Sequence, residues 1–137
     1  MILVDTGPFV ALFDPKDDEH TRAAGILASL REPLITTVPV LTEAFHLLGP
    51  ASRGSAALRL FVGKGGVQTW FLARSSLARA FELMKRYDDH PMDLADASLV
   101  TAAEELRTTT IFTIDRNDFA TYRARIGRSS RAFRVLA

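Results

Sequence analysis

The chain has 137 residues, 47% of them hydrophobic and 24% charged, with a formal net charge of +1 and no cysteine. That length suits one domain, expected over residues 1–137, burying about two-thirds of the surface its unfolded form exposes. The missing cysteine excludes disulfide frameworks, thiol redox chemistry and Cys-ligated zinc, and it fits a cytoplasmic setting.

The first residues, Met1-Ile2-Leu3-Val4-Asp5, are apolar for only four positions and have no basic start, so no secretory signal is expected. They read as a short buried strand. Pro8 then fits the first turn of a helix running to about Phe13, with Thr6 or Gly7 as its cap. Asp17 or Asp18 caps a second helix in which Ala23, Leu27 and Leu30 recur at helical spacing. Leu34–Val38 is the second strand, Pro39 opens a helix that Gly49 ends, and Val67–Leu72 is the third strand. A helix from Ser75 carries Leu77, Phe81 and Met84 on one face, and Phe81, Met84 and Trp70 are expected in the core. Ala95, Leu99, Ala102 and Leu106 mark a long helix before the strands Thr110–Ile114 and Phe133–Leu136. No stretch of about 20 apolar residues occurs, so no membrane span is expected. Strands alternating with helices imply right-handed crossovers, hence an α/β fold with a mostly parallel sheet between helical layers.

In such a sheet ligands bind beyond the carboxyl ends of the strands. Asp5 follows the first strand and Asp115 the fourth, so both side chains are expected at one edge. Each alone also reads as a turn residue, and Asp115-Arg116-Asn117-Asp118 has the composition of a turn. Glu43 lies three residues after Val40 and four before Leu47, inside the apolar stripe of its helix, where an unpaired carboxylate is costly. Asp93 and Asp96 share one side of a first helical turn. A capping box accounts for Asp93, whereas Asp96 stands among Leu94, Ala95, Ala97 and Leu99.

Carboxylates converging on one place raise each other's pKa or demand a cation. An oxygen-only set suits Mg²⁺ or Mn²⁺, and such ions position phosphates and activate water. The other residues offer no rival site. His20, His46 and His90 are scattered, Gly63-Lys64-Gly65-Gly66 lacks phosphate-loop spacing, and no Gly-x-Ser-x-Gly elbow occurs. From position 116 onward there are six arginines (116, 123, 125, 128, 131, 134) against Asp118 as the sole acid. Such a cluster suits nucleic-acid phosphates, or equally a solvated amphipathic end-segment.

Val4-Asp5-Thr6-Gly7-Pro8, Leu41-Thr42-Glu43-Ala44, Met92-Asp93-Leu94-Ala95-Asp96-Ala97 and Thr113-Ile114-Asp115-Arg116-Asn117-Asp118-Phe119 occur in this order across the whole chain. In this order the sequence resembles the PIN-domain family, in particular its VapC-type ribonuclease toxins of toxin–antitoxin pairs. The resemblance implies a five-stranded parallel sheet and a Mg²⁺-dependent endoribonuclease, with Mn²⁺ as the alternative ion. It implies metal-site roles for Asp5, Glu43, Asp96 and Asp115, Asp5 and Asp96 being direct ligands. Thr6, Asp93 and Asp118 are accessory candidates. The implied partners are an RNA substrate, an antitoxin protein and a second copy of the chain. Two alternatives remain: a non-catalytic RNA- or partner-binding PIN module, and a haloacid-dehalogenase-like phosphatase. The latter needs a second Asp two residues after the first, where this chain has Gly7.

Overall fold

The computed structural model describes residues 1–137. In chain order its elements are β1 (Ile2–Val4), α1 (Thr6–Phe13), α2 (His20–Ser29), β2 (Leu34–Thr37), α3 (Val38–Leu48), α4 (Arg53–Gly63) and β3 (Gln68–Trp70). There follow α5 (Arg74–Arg86), α6 (Leu94–Leu106), β4 (Thr110–Phe112), α7 (Arg116–Thr121), β5 (Arg123–Ile126), β6 (Ser129–Ala132) and β7 (Arg134–Leu136).

The five strands expected from the sequence form one sheet of order β3-β2-β1-β4-β7, every pair parallel. β1 is wholly buried, as an apolar triplet at the centre of a sheet covered on both faces must be. Helices cover the sheet, and Leu3, Phe9, Leu99, Phe112 and Phe119 belong to a core of 28 buried residues. Burying each of these side chains contributes about 1.5–3 kcal/mol.

Several local expectations are corrected. The cap of α1 is Asp5, whose carboxylate accepts from the Thr6 N–H at 2.7 Å, and neither Thr6 nor Gly7 fills that place. Asp17 accepts the Glu19 N–H at 2.9 Å and so closes the turn before α2, while the residue in the cap position, Glu19, makes no side-chain cap bond. Phe81 is 54% exposed, because α5 buries the face of Ser76, Ala80 and Leu83. Asp115 follows the fourth strand and caps α7, so Arg116–Asp118, whose composition also suits a turn, form the first turn of a helix.

α4 has no counterpart among the expected helices. Its Gly54 and Gly63 depress helix propensity, yet Ser52 caps it by accepting the Ser55 N–H at 3.0 Å, and Leu58 anchors it in the core. The last arginine-rich stretch is not one amphipathic segment. It divides into α7, the antiparallel hairpin β5–β6 and the edge strand β7. Gly127, at φ 61°, opens the two-residue hairpin turn as only glycine does readily.

Candidate active site

The order of the sheet places the site. β1 leads one way to β2 and β3, while β4 and β7 lie on its other side, so the crevice where ligands bind opens between the ends of β1 and β4. Asp5 extends β1 by one ladder bond, its N–H donating to the Phe112 carbonyl at 3.0 Å. Gly7 lets α1 start flush against the end of β4, since a Cβ there would stand 3.3 Å from that of Ile114.

Thr113 joins the two strand ends. Its buried hydroxyl donates to Asp5 Oδ2 at 2.8 Å and accepts the Asp115 N–H at 3.1 Å. A second link sets the two helices that carry acids. Thr37 caps α3, which holds Glu43, and its hydroxyl lies 2.6 Å from that of Ser98 on α6, two residues beyond Asp96. α6 begins with the capping box read from the sequence: Asp93 accepts the Asp96 N–H at 2.8 Å, and Asp96 Oδ2 lies 3.4 Å from the Asp93 N–H. Tyr122 donates to the same Asp96 oxygen at 3.3 Å.

These elements enclose an open cleft of about 440 Å³ lined by Asp5, Glu43, Asp93, Asp96, Asp115, Asp118, Asp17 and Glu19, with no basic side chain. The structure thus brings together all four acids expected as metal-site residues and the three accessory candidates, because Thr6 lines the cleft too. Asp17 and Glu19 are additions. Their place in the α1–α2 connection, away from any strand end, gave no sign that the loop folds back over the site. Thr113 is another addition, legible only as the small polar residue two positions before Asp115. His90 is the last, its Nε2 lying 2.8 Å from Asp118 Oδ1.

The acids repel one another. Burial raises Asp5 from 3.8 to about 6; the hydrogen bonds from Thr113 and Thr6 oppose this, and the charges of Glu43 and Asp93 add to it. Asp96 is pushed up to about 8, chiefly by burial, then by Asp93 and Asp5. Burial also raises Asp118, partly offset by His90. A cation beside these carboxyls would favour their charged forms. The donor set is all oxygen, and the buried Thr6 hydroxyl has no hydrogen-bond partner, so the residues fit a hard divalent ion in their chemistry. No three acids are gathered at metal-ligand spacing, so binding would draw the exposed Asp115 and the half-buried Glu43 inward.

Thr113→Val tests the strand-end link. It removes a donor to a buried carboxylate, a bond worth about 1.5–3 kcal/mol when charged. Chemical denaturation at pH 8 should show a loss of that order, shrinking at pH 5 where Asp5 is largely protonated. Equal losses at both pH values would mean that the hydroxyl serves packing alone.

Sheet order, helical cover and an acidic cleft at the switch between β1 and β4 define an α/β protein with an all-oxygen candidate site at its sheet edge. The chain belongs to the PIN-domain family, whose profile matches residues 2–124. It is similar to ribonuclease VapC26 of Mycobacterium tuberculosis, being 28% identical over 125 residues that cover 89% of this chain and 92% of that protein. Its fold is similar to that of Mycobacterium tuberculosis VapC20, described as a Sarcin-Ricin loop cleaving toxin. There the TM-score is 0.79 at 23% identity, over 85% of this chain and 92% of that one. A chain of a toxin–antitoxin complex from Klebsiella pneumoniae gives a TM-score of 0.68 at 17% identity, over 88% and 92%. No helix is long and apolar enough to cross a membrane.

Proposed function

We propose that this chain is a divalent-metal-dependent endoribonuclease, the toxin of a toxin–antitoxin pair, with Mg²⁺ as the working ion and Mn²⁺ as its substitute. The observation that carries the reading is the pair Asp5 and Asp96. Both line a cleft that holds eight acids and no positive side chain, and burial resists their ionisation, a condition that a bound cation would relieve. The likeness to ribonuclease VapC26 supports RNA as the substrate class.

Asp5 and Asp96 would hold the ion directly, with Glu43 and Asp115 completing or flanking the set. When bound, the ion activates water and neutralises phosphate charge. The residues do the rest. The Thr113 hydroxyl and the Thr6 N–H fix the Asp5 carboxylate, so that its orientation does not depend on ligand. Glu43 or Asp115, on the rim, takes the proton from the attacking water. The water oxygen bonds to phosphorus and the P–O3′ bond breaks in line. The departing O3′ takes a proton from solvent water, leaving 5′-phosphate and 3′-hydroxyl ends. Asp93 secures the start of α6, and Asp118 with His90 borders the path of the strand.

An antitoxin protein is the proposed partner, in keeping with the Klebsiella complex, and the cytoplasm is the proposed setting. A second copy of the chain would cover the exposed Phe71 and Phe81. The second reading, a non-catalytic RNA- or partner-binding PIN module, has one observation in its favour: no three acids already stand at ligand spacing. Purified protein incubated with total RNA separates the two. Cleavage in Mg²⁺ and none in EDTA is expected, together with growth arrest when the chain is expressed alone. Metal binding without cleavage, and normal growth at confirmed expression, would favour the module.

A further inference from the structure

A second cleft, of about 390 Å³, lies between the end of α5 and the β5–β6 hairpin. In β5 the pattern Arg-Ala-Arg-Ile alternates exposed and buried, so Arg123 and Arg125 share the outer face while Ala124 and Ile126 enter the core. Arg128 stands in the hairpin turn, Arg86 ends α5, and these four line the cleft together with Ser129, Ser130 and a fifth arginine, Arg79, which is paired with Glu82 and Glu104. Arg125 lies directly across from Ser130 in the hairpin.

None of Arg86, Arg123, Arg125 and Arg128 has a carboxylate within ion-pair distance. The nearby acid, Glu104, is taken. It forms a forked pair with Arg79, at 2.8 and 3.0 Å, and accepts the Arg125 backbone N–H at 2.6 Å, which pins the hairpin against α6 and leaves the outer guanidiniums without a direct ion pair, although the Arg125 charge is felt by Glu104. Arg123 is held in place because its Nη1 donates to the carbonyls of Ala120, Thr121 and Tyr122. Four cations free of ion pairs, with two adjacent serines and no acid in the lining, form a mould for an anion with several oxygens.

The basic cleft is tied to the acidic one. Tyr122 donates to Asp96 in the first cleft, and its ring meets that of Tyr87, which lines the second, at 5.1 Å between centroids. The Tyr87 hydroxyl accepts the N–H of Arg123, the residue after Tyr122. The buried Tyr122 ring thus packs between the two clefts and fixes the hairpin that carries the arginines relative to α6, which carries Asp96.

We propose that the cleft of Arg86, Arg123, Arg125 and Arg128 binds backbone phosphates of the same RNA strand whose scissile phosphate sits at Asp5 and Asp96. This rests on the ribonuclease reading for its substrate, but the cleft can be tested without catalysis. The probe is a fluorescein-labelled single-stranded RNA 20-mer titrated into the full chain in EDTA, with anisotropy as the readout.

Each phosphate contact adds about 0.7 to the slope of log affinity against log salt on a single strand. The double variant Arg125→Ala/Arg128→Ala should lower that slope by about 1.4 and weaken binding by roughly 10–30-fold at 0.1 M salt. The pair Arg131→Ala/Arg134→Ala removes the same charge elsewhere on the surface and should change binding little. Arg125→Lys/Arg128→Lys, which keeps the charge, should retain the salt slope, and thermal melts of all variants exclude unfolding. Unchanged binding, or equal loss in both alanine pairs, overturns the proposal. So does full displacement of RNA by millimolar inorganic phosphate, which would make this a free-anion site. A polyglutamate peptide outcompeting RNA with the same dependence on Arg125 and Arg128 would overturn it in favour of an acidic protein partner. If RNA binds here as expected but Mg²⁺ yields no cleavage, the cleft stands and the ribonuclease reading falls.

Discussion

Asp96→Asn is expected to abolish Mg²⁺-dependent RNA cleavage while making the metal-free protein more stable. The side chain is half-buried among Asp5, Asp93 and Asp118, and its carboxyl is held near 8. An amide of the same shape keeps an oxygen for the Tyr122 hydroxyl and for the Asp93 N–H. It removes the charge that its neighbours resist. In cleavage the same change deletes a direct ligand of the proposed ion, with a loss of at least about 10³-fold, or ~4 kcal/mol in the barrier. In melts at pH 8 without metal the variant should gain about 1–3 kcal/mol, the usual scale for relieving a poorly compensated buried polar group. Asp5→Asn should behave alike, since the amide oxygen still accepts from Thr6 and the Thr113 hydroxyl turns to accept from the amide. Gain in stability with loss of activity distinguishes a site under electrostatic strain from a structural carboxylate, whose removal would cost both. Cleavage by Asp96→Asn at the wild-type rate would overturn the assignment.

The parts of this arrangement visible in the sequence are those that local chemistry decides. Short runs such as Ile2-Leu3-Val4 and Ile111-Phe112 become strands because consecutive apolar residues bury both faces, and the alternation with helices makes them parallel. Once they are parallel, Asp5 and Asp115 must emerge at one edge. Glu43 was legible because a carboxylate inside an apolar stripe asks for a reason. Asp93 and Asp96 answer to two accounts at once: the capping box is there, and both side chains also face the cleft.

What escaped depends on tertiary context. α4 carries two glycines, so only its Ser52 cap and its packing through Leu58 make it a helix. α7 has six residues, too few for periodicity to speak. The β5–β6 hairpin hides behind its arginines, although Arg123, Ala124, Arg125 and Ile126 alternate as a half-buried strand should. Asp17 and Glu19 reach the site through a loop path that no spacing rule encodes. Phe81 followed the helical stripe but misses the core, because the stripe of α5 is centred on Ala80 and Leu83.

The metal-free protein should lose stability as pH rises from about 5 to 8, and Mg²⁺ should return it. For a carboxyl raised by folding, the native state holds its proton at pH values where the unfolded chain has released it. Stability then falls with pH, beginning above the unfolded value of 3.8 and ending at the folded one. Asp5 sets the lower part of that window, ending near 6, and Asp96 extends it to about 8. The rise of Asp5 alone corresponds to about 3 kcal/mol at most. Glu32 and Glu104 are lowered, so they act in the opposite direction, but only at more acid pH. The melting temperature in EDTA should therefore drop by roughly 5–10 °C between pH 5.5 and 8. An ion at 100 times its dissociation constant restores about 2.7 kcal/mol. It does so more fully at pH 8 than at pH 6, because its ligands must first lose their protons. The double variant Asp5→Asn/Asp96→Asn should melt at a temperature nearly independent of pH across this range and of Mg²⁺ throughout. A wild-type profile that rises from pH 5.5 to 8 in EDTA, or a Mg²⁺ shift that persists in the double variant, would place both the strain and the ion outside this cleft.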